Sequence, residues 1–145
     1  MKNRVTLLVA AGLLLSGRAA VAQILTVSGS PAAMTITSAI AGSDPTSISN
    51  SSTTYSAIVL IPCHITAALG SNMPTGVTLT ISLAVAAGAT SSGPVALDVT
   101  ARNVVTNVTA TQSNRAITYN LSALPSAGVI ASQTRIVTLT LVVGP

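Results

Sequence analysis

The sequence is poor in the side chains that carry out chemistry. Its 145 residues include one cysteine, one histidine, two acidic residues and two tyrosines, with neither tryptophan nor phenylalanine. A structural zinc site uses four cysteine or histidine ligands, and a catalytic one uses at least three protein ligands. One cysteine also excludes an intramolecular disulfide. We therefore expect no metal, no cofactor and no domain stabilised by intramolecular disulfides.

Few charges remain once the first 22 residues are set aside. The rest of the chain carries three arginines and two aspartates, Arg102, Arg115, Arg135, Asp44 and Asp98, which leaves a net charge of +1. Nucleic-acid binding calls for a basic surface or for aromatic rings on which bases stack. Two tyrosines and three arginines supply neither, so we expect no nucleic-acid partner.

The first residues have the pattern of an export signal. Two basic residues precede the apolar stretch Val5–Leu15, and Ala20-Val21-Ala22 is the small-x-small pattern that a signal peptidase accepts. We predict a signal-peptide helix over residues 1–22 and one domain over residues 23–145. The apolar stretch is shorter than the roughly 20 residues of a membrane anchor. The mature protein is then secreted, periplasmic or on the cell surface, with no transmembrane anchor.

Apolar residues alternate with hydroxyl residues along much of the remaining chain. Val77, Leu79, Ile81, Leu83 and Val85 occupy every second position of one segment, with threonine, serine or alanine between them. Side chains that alternate in this way point to opposite faces of a strand. The same pattern in the last segment predicts an inward set of Val137, Leu139, Leu141 and Val143. Less regular segments also predict strands: Ile24–Ser28, Met34–Ser38, Thr54–Leu60, Cys63–Leu69, Val95–Ala101 and Ala116–Leu121.

Clusters of glycine, proline, serine and asparagine separate these segments and mark turns. Seven to nine short strands with one apolar side each predict an all-β protein, an antiparallel Ig-like β-sandwich. A single closed sheet is the alternative architecture. The only helical turn that the pattern allows lies in Ala123–Gly128.

The only cysteine and the only histidine stand side by side as Cys63-His64. Neighbours in a strand face opposite sides, so the two side chains do not converge on one ligand or substrate. A Cys–His catalytic pair is normally built from distant parts of the chain. We interpret the pair as structural. The remaining possibility is that Cys63 is a thiol that forms an intermolecular disulfide, since an unpaired cysteine in an exported protein is free to do so.

The two aspartates give little support to catalysis. A serine hydrolase would need His64 as its base with Asp44 or Asp98 to orient it, and no G-x-S-x-G elbow is present. Asp44 stands before a proline in a turn sequence, and Asp98 has Arg102 four residues away. We interpret both as turn, charge-pair or solvated residues, and we expect the protein not to be an enzyme.

The hydroxyl-rich strands and the scarcity of charge favour assembly. Natural sheets protect their edge strands with charge or proline, and this chain has little of the former. The first mature stretch, Gln23–Gly42, could add to the sheet of another copy. With its signal peptide and its closing strand in Thr134–Val143, the chain resembles small exported bacterial proteins grouped with fimbrial subunits and spore-coat-U-type proteins. That resemblance implies a structural or adhesive subunit of a fibre, pilus or cell surface, whose partners are itself or other surface proteins. A soluble module that binds a small ligand or carbohydrate is the alternative.

Overall fold

The computed structural model describes residues 23–38 and 42–144. The predicted signal-peptide helix over residues 1–22 lies outside the described residues. Residues 23–38 and 42–144 include no helix with the length and hydrophobicity that a membrane span requires.

The described residues form nine β-strands and a single 3₁₀ turn at Pro125–Ala127. This turn lies inside the Ala123–Gly128 segment where the sequence allows one. The strands are β1 (Ile24–Ser28), β2 (Ile48–Ile58), β3 (Cys63–Leu69), β4 (Val77–Leu83), β5 (Thr90–Ser91), β6 (Val95–Ala96), β7 (Arg102–Val108), β8 (Gln112–Ala123) and β9 (Val137–Val143).

The strands make two separate sheets, and all of their pairings are antiparallel. One sheet has the order β1-β2-β8-β4-β6 and the other has the order β5-β7-β3-β9. Aliphatic side chains from both sheets form one core, in which Ile65, Ile81 and Ile117 are fully buried. The two sheets therefore pack face to face in the manner of a β-sandwich, which confirms the predicted all-β antiparallel class.

Buried and less buried side chains alternate along β3 and β4, and three of the five predicted inward residues of the segment Val77–Val85 are buried. On β3, Cys63, Ile65, Ala67 and Leu69 are buried, and the residues between them are half-buried. On β4, Leu79, Ile81 and Leu83 are buried in the same way.

The bounds of β1 and β3 are the ones that the sequence predicts. Gly29 follows β1, and its positive φ of 78° turns the chain away from the sheet. Pro62 precedes β3 and Gly70 follows it. Turn-forming residues at the ends of a strand make its limits readable from the sequence.

The two-residue strand β5 was not predicted, and β2 and β8 are longer than the predicted Thr54–Leu60 and Ala116–Leu121. Three further segments differ from the sequence-based prediction. Met34–Ser38 is not a strand, although Met34 contacts the core. Of the predicted Val95–Ala101 strand only Val95–Ala96 is a strand; the Leu97 N–H still donates to the Leu79 carbonyl, and the chain then turns at Asp98, whose carboxylate accepts a hydrogen bond from the Thr100 N–H. β7 was not predicted at all; in this strand adjacent Val104 and Val105 are both buried, and Asn107 has a positive φ of 51°.

Candidate functional site

One side of the sandwich is bounded by the two long edge strands, β1 and β9. β1 is the edge of its sheet and β9 is the edge of the other, and their Cα atoms approach within 8 Å. We call this the open side and define it by the inward residues of the two strands: Leu25, Val27, Val137, Leu139, Leu141 and Val143. The strand register shows that these side chains point between the sheets, because Val27 is the cross-strand partner of buried Tyr55 and Leu141 is the partner of buried Ile65.

The side chains of the open side are less buried than their cross-strand partners. Cross-strand partners in an antiparallel pair point to the same face. Val27 is nevertheless 47% exposed and Val143 is 63% exposed, whereas their partners Tyr55 and Cys63 are almost fully buried. The predicted inward set of β9 is therefore half-buried at best, and for Val143 the prediction of a buried position is wrong. Nothing among the described residues covers this end of β9.

The backbone of β9 is unpaired on its outer edge within the described residues. β3 is the only strand that pairs with it, along all seven residues from Val137 to Val143. Every second N–H and C=O group of β9 therefore points away from β3 toward solvent. β9 contains no charged residue and no proline, so it lacks the devices that normally protect an exposed edge.

The opposite side of the sandwich is built differently. Its edge strands, β5 and β6, have two residues each. An edge strand of two residues has few free backbone N–H and C=O groups with which another strand could pair. The contrast leaves β1 and β9 as the only long edges of the two sheets among the described residues.

The segment Met34–Ser38 lies between β1 and β2 and keeps strand-like alternation without strand pairing. Met34 and Ile36 are half-buried, and Thr35 and Thr37 are exposed. Among the described residues, its only hydrogen bond is accepted by the Ser38 carbonyl from the Thr46 N–H, at 3.1 Å. Its amphipathic pattern is therefore not used to complete a sheet.

Cys63 lies in the core at the start of β3. Its side chain is fully buried, and its Sγ donates to the Val108 carbonyl at 3.7 Å. Burial raises the pKa of the thiol, because a thiolate is poorly solvated there. The structure does not test the alternative of an intermolecular disulfide through Cys63, and the burial means that β3 must open before the thiol can react.

His64 is half-buried on the opposite face of β3, as the alternation predicts. Its Nδ1 lies 3.1 Å from the Gly144 carbonyl oxygen, which fixes the ring against the chain that follows β9. The structure does not bring Asp98 to it. The backbone carbonyl of Asp98 accepts the Leu69 N–H at the other end of β3, roughly 20 Å away at the rise of an antiparallel strand.

Asp98 and Arg102 form an exposed ion pair. The hydrogen bond from the Arg102 guanidinium lowers the pKa of Asp98, and the Thr100 backbone N–H acts in the same direction. These contacts agree with the predicted charge pair, and both oxygens of the carboxylate accept a hydrogen bond. Within the described residues, no group of three histidine, cysteine or acidic side chains could hold a metal ion.

Asp44 lies at a shallow surface depression of about 290 Å³. The depression is also lined by the hydroxyl residues Ser47, Thr78 and Ser122 and by the exposed side chain of Leu124. It brings a carboxylate and several hydroxyl groups together at the surface.

Sequence analysis predicted this site in part, because it noted the scarcity of edge-protecting charge and named Gln23–Gly42, which contains β1, as a stretch that could pair with another copy. It did not identify β9 as an edge strand and assigned the apolar face of β9 to the core. The signal that could have marked β9 as an edge was its own lack of charge and proline.

No protein-family model, no curated protein sequence and no solved structure matches the chain. The geometry of the open side is therefore the strongest indication of function among the described residues.

Proposed function

We propose that this protein is an exported, non-catalytic structural or adhesive subunit that assembles with other copies through strand pairing at the open side. The observation that carries the proposal is the uncharged, unpaired edge of β9, whose inward side chains are partly exposed. A strand added beside β9 would satisfy its backbone groups and cover Leu139, Leu141 and Val143 in one step. Strand addition uses main-chain hydrogen bonds for affinity and alternate side chains for specificity.

The strand order supports an Ig-like assignment and says where the added strand would stand. An Ig constant-type domain has one sheet of strands A, B, E and D and another of strands C, F and G. β1-β2-β8-β4 follows the first order, and β3-β9 follows C and F. The position of strand G, beside β9, is not filled by any described residue. We propose that a second copy fills it.

The N-terminal stretch is the donor that the chain itself offers. β1 is paired with β2 of the same chain, so using it in trans would break that pairing. Met34–Ser38 would break less, because its backbone forms only one hydrogen bond among the described residues, although Met34 would leave its contact with the core. Met34 and Ile36 are half-buried and two residues apart. In a strand added beside β9, both side chains would therefore point toward the core.

Sedimentation velocity over a range of concentrations, with electron micrographs of the same samples, tests the proposal. We expect oligomers or filaments that grow with concentration for the native protein. Val143→Lys should stay monomeric, because the ammonium group would be buried by an added strand at a cost of several kcal/mol. A native protein that is monomeric throughout would contradict the proposal.

Val99→Lys is the matched control for this experiment. Val99 is 53% exposed, close to the exposure of Val143, and it lies beyond the far end of β3 in the loop before β7. The two variants carry the same change in charge and size. Assembly lost in both would indicate a general effect of charge, and assembly retained in both would exclude the β9 edge.

The second candidate is a soluble module for a small ligand or carbohydrate, favoured by the depression at Asp44. A carboxylate surrounded by hydroxyl groups suits the hydroxyl groups of a sugar, and Leu124 provides an apolar contact. The depression lacks the aromatic platform on which sugars usually stack. A stable monomer whose binding of sugars in a glycan screen is abolished by Asp44→Asn would favour this candidate over assembly.

A further inference from the structure

The segment Met34–Ser38 is held against its own domain by side chains rather than by strand pairing. Met34 is half-buried and packs against the core, and Ile36 is also half-buried. The segment belongs to no strand, although its side chains alternate as those of a strand do. We call it the docked segment, because its apolar side chains lie against the domain while its backbone forms a single hydrogen bond among the described residues.

The docked segment follows the point at which β2 loses its edge partner. β1 pairs only with Thr54–Ile58 of β2, so Ile48–Thr53 has no strand on that side among the described residues. Gly29 directs the chain out of the sheet with a φ of 78°, and a Cβ placed on it would lie 4.0 Å from the Thr53 Cγ2 atom. The chain therefore leaves β2 beside Thr53 and continues to Met34 without strand pairing.

One backbone hydrogen bond ties the end of the docked segment to the chain that leads into β2. The Thr46 N–H donates to the Ser38 carbonyl at 3.1 Å, and the Thr46 side chain is exposed. A segment that is held by one such bond and by two half-buried side chains has a low local stability. Its release from the domain is therefore a smaller step than the opening of a paired strand.

Docking on its own domain and pairing with another copy exclude each other for this segment. In a strand added beside β9 of a second copy, Met34 and Ile36 point into the core of that copy. The same side chains cannot then contact their own domain. The free energy of docking is therefore lost whenever the segment is donated, and the apparent affinity between copies is multiplied by the fraction of molecules whose segment is released.

We propose that the docked segment is an autoinhibitory element, which must leave its own domain before it pairs with β9 of another copy. This inference rests on the proposed assembly at the open side and names the step that regulates it. A change that weakens docking without altering Met34–Ser38 itself should therefore promote assembly. The Thr46 N–H is such a target, because it lies outside the donated residues.

Two substitutions at one exposed position test the autoinhibitory role. Thr46→Pro removes the N–H, whereas Thr46→Ala keeps it and removes the same hydroxyl group. Sedimentation velocity gives the concentration at which half of each protein has assembled. We expect this concentration to be roughly two- to ten-fold lower for Thr46→Pro, which corresponds to the loss of one backbone hydrogen bond.

The outcomes separate the autoinhibitory role from the proposed function. Equal concentrations for the two variants would overturn the autoinhibitory role and leave assembly at the open side intact. Absence of assembly in the native protein and in both variants would contradict the proposed function, and this inference with it.

Oxidation of methionine measures docking in the monomer, independently of assembly. Hydrogen peroxide converts an accessible thioether to the sulfoxide and is itself reduced to water. Met34 and Met73 are the only methionines of residues 23–145, and Met73 also packs against the core, so it serves as the reference within the same molecule. We expect Met34 to react more slowly in the native monomer than in urea. It should react faster in Thr46→Pro than in Thr46→Ala, with the rate for Met73 unchanged.

The native protein keeps the test decisive if Thr46→Pro folds poorly and exposes Met73 as well. Protection of Met34 in the native monomer supports a docked segment. Reaction of Met34 at the rate seen in urea would show that the segment is not docked, and this result would overturn the proposal.

Discussion

Cys63 and Val143 are cross-strand partners, yet the first is fully buried and the second is 63% exposed. Partners in an antiparallel pair share a face, so both side chains point between the sheets. The difference arises because β3 is flanked by β7 on its other side, whereas β9 has no further neighbour among the described residues. The exposure of Val143 therefore shows that the core is not fully covered at this end of the open side.

Truncations at Ile65 and Leu141 test this difference in burial. The two residues are cross-strand partners, and Ile65 is fully buried whereas Leu141 is half-buried. We expect Ile65→Ala to lower the free energy of unfolding by about 2–5 kcal/mol, and Leu141→Ala by about half as much. Urea unfolding of the monomer gives both values. Equal losses would mean that β9 is covered in solution.

The thiol of Cys63 should be protected in the folded protein. Burial excludes reagents, and the raised pKa of the thiol keeps it protonated. We expect alkylation at neutral pH to be slow in the native state and rapid in denaturant. The purified protein should migrate at monomer mass on a non-reducing gel. Fast native alkylation, or a band at dimer mass that reductant removes, would instead support the intermolecular disulfide.

Gly88 should resist replacement more strongly than Gly93. Both have positive φ angles, of 83° and 72°. A Cβ at Gly88 would lie 2.7 Å from the Ala110 Cβ, whereas nothing lies within 4 Å of one at Gly93. We expect Gly93→Ala to cost about 1–2 kcal/mol for the left-handed backbone, and Gly88→Ala to cost about 1–3 kcal/mol more for the overlap. The difference between the melting temperatures of the two variants gives the cost of the overlap with Ala110. Similar melting temperatures would contradict this prediction.

Gln112 should stabilise the packing of the loop after β4 against the loop before β8. Its buried amide accepts the Ala86 N–H at 2.7 Å and donates to the Ala110 carbonyl at 3.1 Å. Gln112→Ala leaves the two backbone groups without these partners, and we expect a loss of about 1–3 kcal/mol for each one that water cannot reach. Asn50→Ala is the comparison, because the Asn50 amide bonds only to exposed Ser52. Denaturant midpoints that fall equally would argue against this role.

Alkaline pH should destabilise the fold through Tyr55. Burial raises the pKa of Tyr55 to about 12, although nearby Arg115 lowers it in part. Between pH 10 and about 12 the unfolded chain loses the phenol proton and the folded chain keeps it. The stability contributed by Tyr55 is then full below pH 10 and falls by up to about 1.4 kcal/mol per pH unit above it.

Tyr55→Phe separates this effect from other alkaline titrations. The variant loses the hydrogen bond to the Ala84 carbonyl, so we expect it to be less stable by about 1 kcal/mol at neutral pH. Its stability, measured by urea unfolding at each pH, should then fall less steeply between pH 10 and 12. A contribution from Tyr119, whose pKa burial also raises, remains in both proteins. Parallel pH profiles would contradict the assignment to Tyr55.

The strands that sequence analysis predicted well are those in which local pattern and tertiary position agree. β3 and β4 have one dry face and one wet face, so a period of two marks both the strand and its core residues. β7 was missed because Val104 and Val105 are buried together, where the pairing with β3 shifts register between Ile65 and Thr66. Such an irregularity depends on the neighbouring strand and leaves no mark in the segment's own alternation.

The amino-acid pattern alone specifies the class of structure. β-branched and hydroxyl residues with a period of two favour paired strands, and the scarcity of acids, bases and ligands leaves few groups for chemistry. The packing of the two sheets sets which strands stand at the edges, that Cys63 is buried, and that Val27 and Val143 are not. Alternation specifies which face of a strand is apolar, because it reflects the direction of each side chain. Whether that face is covered depends on strands that are distant in the chain, and at β1 and β9 the described residues supply none.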